Sequence, residues 1–192
     1  MPCIFLSASI PLPEDDARYL DTADIIAIRD SIRALVSVVV PTGQIVFGGH
    51  PAITPLIRLI IRGMARDVNQ HVTLYQSAYF RRDFPPETAE FERVRIIEAV
   101  DIDEEESLRR MREAMIGAYE YDAGVFLGGM DGVEREYEIF RHRHPNKPAY
   151  PIGSTGAAAR IIFNEYARDQ VELLNDLRYL SLFRRLPGVG TA

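Results

Sequence analysis

Short segments of glycine and small hydroxyl residues follow four apolar, β-rich runs of the sequence. The segments are Gly48-Gly49-His50-Pro51, Gly128-Gly129-Met130-Asp131-Gly132 and Gly153-Ser154-Thr155-Gly156, together with Ser7 and Ser9 at the end of the first run. Glycine lets a ligand approach the backbone closely, and the free N–H groups at the start of a helix attract a phosphate. If each segment joins a parallel strand to a helix, all four lie at one rim of the sheet. The pattern therefore predicts a site there for a phosphate-bearing, nucleotide-like small molecule.

Three charged residues next to these segments are suited to chemistry. His50 follows two glycines, where it either bonds to the backbone of its own turn or donates to a phosphate or ribose. The spacing from Asp131 to Glu134 is that of a capping box, so Glu134 either closes the start of a helix or, like Glu136, faces the ligand. Carboxylates that face the ligand would bind ribose hydroxyls, act as acid or base, or stabilise an oxocarbenium-like centre.

Arg81 and Arg82 follow the third apolar run. They belong either to a solvated loop or to a phosphate site, where guanidinium groups make fork-like contacts. The adjacent Tyr79 and Phe80 either stack on a base or belong to the core. We take Glu136, Glu134 and Arg82 as the candidate catalytic residues. The candidate ligand-binding residues are Ser7, Ser9, Gly48, Gly49, His50, Arg81, Arg82, Gly128, Gly129, Met130, Asp131, Gly132, Gly153, Ser154 and Thr155.

Short β-rich runs alternate with longer helical patterns along the whole sequence, without a repeat or a linker. Strands are predicted at residues 4–10, 44–47, 71–76, 93–100, 123–127 and 147–152. Helices are predicted at 22–39 with Thr22 as N-cap, at 54–65 with Thr54 as N-cap and Pro55 next, from 104, at 131–142 and after 156. This alternation is typical of βα units. We therefore expect an α/β fold, a single Rossmann-like three-layer sandwich with a mostly parallel sheet, over residues 1–192, with a core at about 3–165 and closing helices at 166–192.

The composition restricts the partners, the cofactors and the cellular location that we expect for the protein. With 22 basic and 28 acidic residues the net charge is −6, which argues against binding to nucleic acid or to an anionic membrane. Cys3 is the only cysteine and the four histidines have no metal-like spacing, so we expect no disulfide, no metal and no cofactor. Acidic residues at 14–16 come too early for a signal peptide, and the most hydrophobic stretch, 55–65, is too short to span a bilayer. We therefore expect a cytoplasmic protein.

The segment from Gly128 to Glu136 resembles the SLOG superfamily. This group includes the LOG-type cytokinin-activating phosphoribohydrolases, once called lysine decarboxylase-like, and the DNA-uptake family Smf/DprA. The LOG pattern is Pro-Gly-Gly-x-Gly-Thr-x-x-Glu, and with one inserted residue Gly128, Gly129, Gly132 and Glu136 match it. Residues 36–55 are similar to the compact SLOG proteins associated with bacterial conflict systems. The resemblance covers roughly residues 3–165.

The resemblance implies a nucleotide-derived ligand and a homodimer or higher oligomer, with its interface on residues 54–65 or 108–119. Compact SLOG proteins are proposed to sense or process nucleotide-derived signals, and relatives fused to Sir2 domains bind cyclic ADP-ribose-type molecules. In this sequence Leu127 and Val133 replace the LOG proline and threonine, and Asp131 is an insertion. We therefore expect a sensor of an ADP-ribose-like or other phosphoribosyl ligand in bacterial stress or anti-phage signalling. The alternative is a LOG-like phosphoribohydrolase that cleaves a nucleotide glycosidic bond with Glu136.

The backbone from Gly128 to Gly132 is the expected phosphate site, helped by Gly153 to Thr155. A side chain at Gly129 would occupy the position of the phosphate. Gly129→Val is therefore expected to abolish binding with less damage to the fold than truncation of a core residue.

Overall fold

The computed structural model describes residues 1–14, 16–64 and 69–190. Within these residues six parallel strands form one sheet in the order β4-β3-β2-β1-β5-β6. The strands are β1 Cys3–Ser9, β2 Gln44–Gly48, β3 Val72–Ser77, β4 Arg93–Ile97, β5 Ala123–Gly128 and β6 Ala149–Ile152. The predicted α/β, Rossmann-like fold with a parallel sheet is confirmed.

Helices cover both faces of this sheet. They are α1 Ala17–Leu20, α2 Ile25–Val39, α3 Ile53–Arg62, α4 Glu104–Ile116, α5 Asp131–Arg143, α6 Ala157–Tyr166, α7 Glu172–Asn175 and α8 Tyr179–Arg185. Short 3-10 turns lie at Asn69–His71, Ala78–Asp83, Pro86–Glu90 and Gly153–Thr155. None of the helices in the described ranges is long and apolar enough to cross a membrane.

The core lies on both sides of β1 because successive side chains of a strand point to opposite faces. Ile4 and Leu6 pack toward α2, α3 and α8, whereas Phe5 packs toward α4 and α5. The Phe5 ring stacks on Phe140 of α5 with centroids 5.6 Å apart. Burial on both faces explains why the strands read as apolar runs in the sequence.

Two predicted helix starts are wrong. Helix α2 begins at Ile25, because Asp24 accepts a hydrogen bond from Ala27 N (2.9 Å) and so acts as the N-cap. The Thr22 hydroxyl instead accepts from Ala157 N at 2.9 Å. Helix α3 begins at Ile53, and the Thr54 hydroxyl turns back to accept from His50 N at 3.1 Å.

The predicted strand ends also move at the sheet edges. Strand β4 stops at Ile97, short of the predicted residue 100, because the chain turns at Asp101, which has a φ of 45°. Strand β6 starts at Ala149 rather than at residue 147. Helix α3 ends at Arg62 with Gly63 as its C-cap, before the predicted end at Ala65, which itself lies outside the described residues.

The strand order sets the position of the site. Strand β1 lies between β2 and β5. After β1 the chain adds β2, β3 and β4 toward one edge of the sheet, and it then crosses back to add β5 and β6 on the other side of β1. This reversal is the topological switch point of an open α/β sheet. Ligands bind there, outside the carboxyl ends of the strands.

Candidate functional site

A pocket of about 290 Å³ opens at the carboxyl ends of β1, β2 and β3. It extends to Leu108, Met111 and Arg112 of α4 and to the first turns of α5, and both helices begin at the same rim of the sheet. Its lining residues are Leu6, Ala8, Ser9, Gly48, Gly49, His50, Pro51, Gln76, Ser77, Phe80, Asp83, Phe84, Pro85, Leu108, Met111, Arg112, Met130, Asp131, Gly132, Val133 and Glu136. The pocket therefore lies where the glycine and serine segments predicted a ligand site.

A buried pair of opposite charges lies at the α4–α5 side of the pocket. Arg112 Nε is 3.5 Å from Glu136 Oε1, and the two side chains are only 11% and 12% exposed. The Arg112 guanidinium also lies against the start of α5, where a Cβ added to Gly132 would meet its Nη2 at 2.9 Å. Gly132 thus leaves room for a cation beside the first free N–H groups of the helix.

The Glu136 carboxyl has a raised pKa. Burial raises its pKa above the ordinary value, while the Arg112 charge and the neighbouring Ser7 hydroxyl lower it by less. Raised carboxyl pKa values of this kind are a feature of catalytic and ligand-binding sites. Glu136 can therefore exchange a proton closer to neutral pH than an exposed glutamate can.

Two polar atoms beside this carboxyl lack a well-formed hydrogen bond within the described part of the chain. Ser7 Oγ is buried on a residue that is 1% exposed, and Arg112 Nε is buried as well. Unsatisfied buried polar groups carry a free-energy penalty, and they call for a specific explanation. Both groups act on the Glu136 carboxyl, since Arg112 Nε lies 3.5 Å from its Oε1 and the Ser7 hydroxyl lowers its pKa, so this carboxyl is their partner, although the contacts are not ideal hydrogen bonds.

The family-model comparison matches residues 18–186 to the SLOG cluster3 family. The chain belongs to the SLOG cluster3 family. The predicted membership of the SLOG superfamily is thereby confirmed. Searches of curated proteins and of solved structures found no match.

The SLOG-type turn after β5 is shaped by its own packing. Gly128 and Gly129 have φ values of 53° and 86°, which favour glycine. A Cβ on Gly129 would lie 2.2 Å from Val133 Cγ2. Gly129→Val therefore strains the fold itself and is not the mild change that was expected.

The third glycine segment supports this turn from behind. The Thr155 hydroxyl accepts from Gly128 N at 2.8 Å and donates to Ile152 O at 2.6 Å. Gly156 lies against the backbone of Thr22, where a Cβ would be 1.7 Å from the carbonyl oxygen. Ser154 Oγ is 3.0 Å from the hydroxyl of Tyr179. Gly153, Ser154 and Thr155 are thus turned toward the interior, away from the described lining of the pocket.

Glu134 and Glu136 have different surroundings. Met130 is the N-cap of α5 and no side chain caps it within the described residues, so the capping-box alternative is wrong. Glu134 Oε1 is buried and lies 3.7 Å from Arg18 Nη2. Burial and then this carboxylate raise the pKa of the adjacent Tyr19 to about 12. Glu134 thus faces α1, and Glu136 faces the pocket.

The remaining predicted residues divide between the pocket and its surroundings. His50 lines the pocket, and its Nδ1 accepts from Ala52 N at 3.1 Å within its own turn. Arg81 and Arg82 are exposed on the 3-10 turn after β3, outside the described lining, while Phe80 lines the pocket. No group of three or more possible metal ligands occurs in residues 1–14, 16–64 and 69–190.

Arg112 and Gln76 are among the pocket residues that were missing from the sequence-based set. Arg112 stands among Arg109 and Arg110 and so looks like part of a solvated helix face. Its spacing from Leu108 and Met115, however, puts it on the apolar stripe of α4, which is the signal that identifies it. Gln76 is the next-to-last residue of β3, a strand that also contains Thr73 and Ser77, so only its position near the rim distinguishes it.

Proposed function

We propose that this SLOG protein binds a nucleotide-derived small molecule with a phosphoribosyl group and acts as a sensor. The observation that carries the proposal is the buried Arg112–Glu136 pair in a pocket at the switch point of the sheet. The guanidinium and the N–H groups at the start of α5 suit a phosphate, and the carboxylate suits ribose hydroxyls. In this proposal Met130, Asp131 and Gly132 contribute the backbone donors.

The charges and the volume of the pocket restrict the kind of ligand that it can bind. Among the described lining residues, Asp83, Asp131 and Glu136 carry carboxylates, and Arg112 carries the guanidinium. Carboxylates repel phosphates but accept hydrogen bonds from hydroxyl groups. The volume of about 290 Å³ is also at the low end of ligand pockets, which span about 300–1,000 Å³. Both features favour a nucleotide with a single phosphate over an ADP-ribose-like ligand.

A second candidate function is cleavage of the N-glycosidic bond of such a nucleotide, as in LOG-type phosphoribohydrolases. It is favoured by the buried Glu136 carboxyl, because its raised pKa favours the protonated form that a general acid needs. As an anion the same group would stabilise an oxocarbenium-like transition state. The departures from the LOG pattern at Leu127, Asp131 and Val133 keep the sensor proposal first.

A ligand screen separates the two functions. Purified protein is mixed with AMP, a cytokinin riboside monophosphate, ADP-ribose, its cyclic isomers and NAD, and thermal stability and the mass of the ligand are measured. A ligand that raises the melting temperature and stays intact supports a sensor. Release of free base and ribose phosphate supports the hydrolase, and no stabilisation by any ligand refutes both.

Glu136→Gln tests the role of the carboxylate. If the protein is a hydrolase, turnover falls on the order of 100-fold or more while binding changes less, because catalysis depends on interactions that strengthen in the transition state. If it is a sensor, the change appears in affinity alone. Undiminished turnover in Glu136→Gln would remove the catalytic role of this residue.

The biological setting is part of the same proposal. We propose a cytoplasmic sensor in bacterial stress or anti-phage signalling, on the basis of the resemblance to compact SLOG proteins of conflict systems. Loss of phage protection on deletion of the gene, and its return with wild type but not with a variant that cannot bind the ligand, would test this setting.

A further inference from the structure

A buried amide on β3 lines the same pocket as the charged pair. Gln76, near the carboxyl end of β3, is 5% exposed, and its Nε2 is 3.3 Å from the hydroxyl of Thr88. Burial of an amide is unfavourable unless it is hydrogen-bonded. This bond engages one of the two amide hydrogens and leaves the other, together with the lone pairs of Oε1, as further hydrogen-bonding capacity.

Gly49 provides the space for this amide. A Cβ on Gly49 would lie 2.1 Å from Gln76 Oε1, 2.2 Å from Cδ and 2.3 Å from Nε2. Gly49 is not among the glycines with positive φ, so its backbone conformation does not call for glycine. The requirement is for space, because the planar amide lies directly on the backbone of the β2–α3 turn, in the wall of the pocket.

The surroundings of the amide suit a flat, partly polar ring. Phe80 and Phe84 line the pocket on the loop after β3, and Leu108 lines it from α4. Aromatic side chains offer surfaces on which nucleobases stack. Three strand spacings of about 4.8 Å separate β3 from β5, or roughly 14 Å between the Gln76 end and the turn before α5. A nucleotide with its phosphate near α5 extends toward Gln76.

We infer that Gln76 reads the hydrogen-bonding edge of the nucleobase and selects adenine. The inference rests on the proposed function, because it requires a nucleotide in the pocket. A glutamine amide pairs with adenine through two hydrogen bonds, donating to N7 and accepting from the N6 amino group. On this N7 edge hypoxanthine has an oxygen in place of the amino group, so the edge presents two acceptors and leaves the amide oxygen facing another oxygen.

The test compares three ligands that share a phosphoribosyl group: AMP, IMP and ribose 5-phosphate. Dissociation constants are measured by calorimetry for wild type, Gln76→Leu and the similarly sized Gln76→Met, neither of which has a side-chain donor or acceptor of comparable strength. Wild type is expected to bind AMP at least about tenfold more tightly than IMP. Both variants are expected to lose this preference and to keep the wild-type affinity for ribose 5-phosphate. Gln70→Leu is the matched control, because Gln70 is exposed and away from the pocket.

Each outcome has a distinct meaning. Equal affinity of wild type for AMP and IMP overturns the inference, as does a preference that persists in Gln76→Leu or Gln76→Met. Either result leaves the proposed function intact, provided that ribose 5-phosphate binds. If wild type binds none of the three ligands, the proposed function fails and this inference fails with it. Affinity for ribose 5-phosphate also reports whether a variant is folded. If one of the two Gln76 variants does not fold, the AMP preference of the other variant tests the inference.

Discussion

The variant Arg112→Met tests how much the buried Arg112–Glu136 ion pair contributes to the free energy of unfolding. Two unit charges 3.5 Å apart attract each other by roughly 5 kcal/mol at an effective dielectric constant of about 20. Removing one partner of a buried pair typically lowers the free energy of unfolding by about 3–5 kcal/mol, since it leaves an uncompensated charge. Proton uptake by Glu136 limits the loss, so we expect about 3 kcal/mol at pH 7. This corresponds to a fall of about 6–12 °C in melting temperature.

The loss is expected to depend on pH with a definite sign. Because burial raises the folded-state pKa of Glu136, its ionisation opposes folding. This penalty is absent below the ordinary value of 4.5, where the group is protonated in both states, and it develops as the pH rises to the folded-state pKa. Arg112 lowers that pKa, so its removal enlarges the penalty. The difference between wild type and Arg112→Met should therefore be small below pH 4.5 and should increase as the pH rises above it.

Urea denaturation at several pH values measures this effect. The double variant Arg112→Met/Glu136→Gln, which carries neither charge, should recover most of the lost stability. Arg109→Met is the control, because Arg109 lies on the same helix but pairs with Glu106 and Glu113 at the surface, where such pairs contribute less than about 1 kcal/mol. A loss in Arg112→Met that is independent of pH, or a double variant no more stable than additivity requires, would refute the reasoning.

Three further predictions concern the rim and the assembly. Gly132→Ala should weaken nucleotide binding several-fold, as measured by calorimetry, because the added methyl group displaces the Arg112 guanidinium. The melting temperature should change little, because alanine is a better helix former than glycine. Thr155→Val should lower the free energy of unfolding by about 1–3 kcal/mol, as measured in urea, because it leaves buried Gly128 N–H without an acceptor, whereas Thr155→Ser keeps most of the stability. Light scattering should give at least a dimer mass, and Leu59→Glu, which places a charge on an exposed apolar position of α3, should shift it to the monomer if that helix forms the interface.

The sequence predicted the architecture because the relevant signals are local. Period-2 and period-3.6 apolar patterns, with glycine between them, identify strands and helices without knowledge of their neighbours. The exact ends depend on competition between side chains that are close in sequence but differ in geometry. At α2, for example, Asp24 is placed to accept from Ala27 N, which leaves Thr22 free to bond to Ala157, a residue 135 positions away.

The site was predicted less completely, because its polar residues depend on contacts between distant elements. Arg112 becomes a pocket residue only when α4 and α5 pack side by side, and Gln76 only when β3 lies next to β2. Thr155 is the opposite case, because the sequence suggested a ligand-binding residue and the fold gives it a structural role. Its hydroxyl stands in a glycine-rich turn, like that of a ligand-binding residue, but the fold uses it to hold Gly128.

The internal bonding of the rim determines the direction in which a ligand can lie. On the β5–β6 side the turns bind each other, since Gly128 N donates to Thr155 and Ala158 N donates to Gly129 O at 3.2 Å. That side of the switch point is therefore filled by the protein itself. On the other side the ends of β1, β2 and β3 line an open pocket that Glu136 and Gln76 both line as well. In the proposed binding mode the ligand extends from α5 across β1 toward β3, with the phosphoribosyl group at the ion pair and the base at the amide.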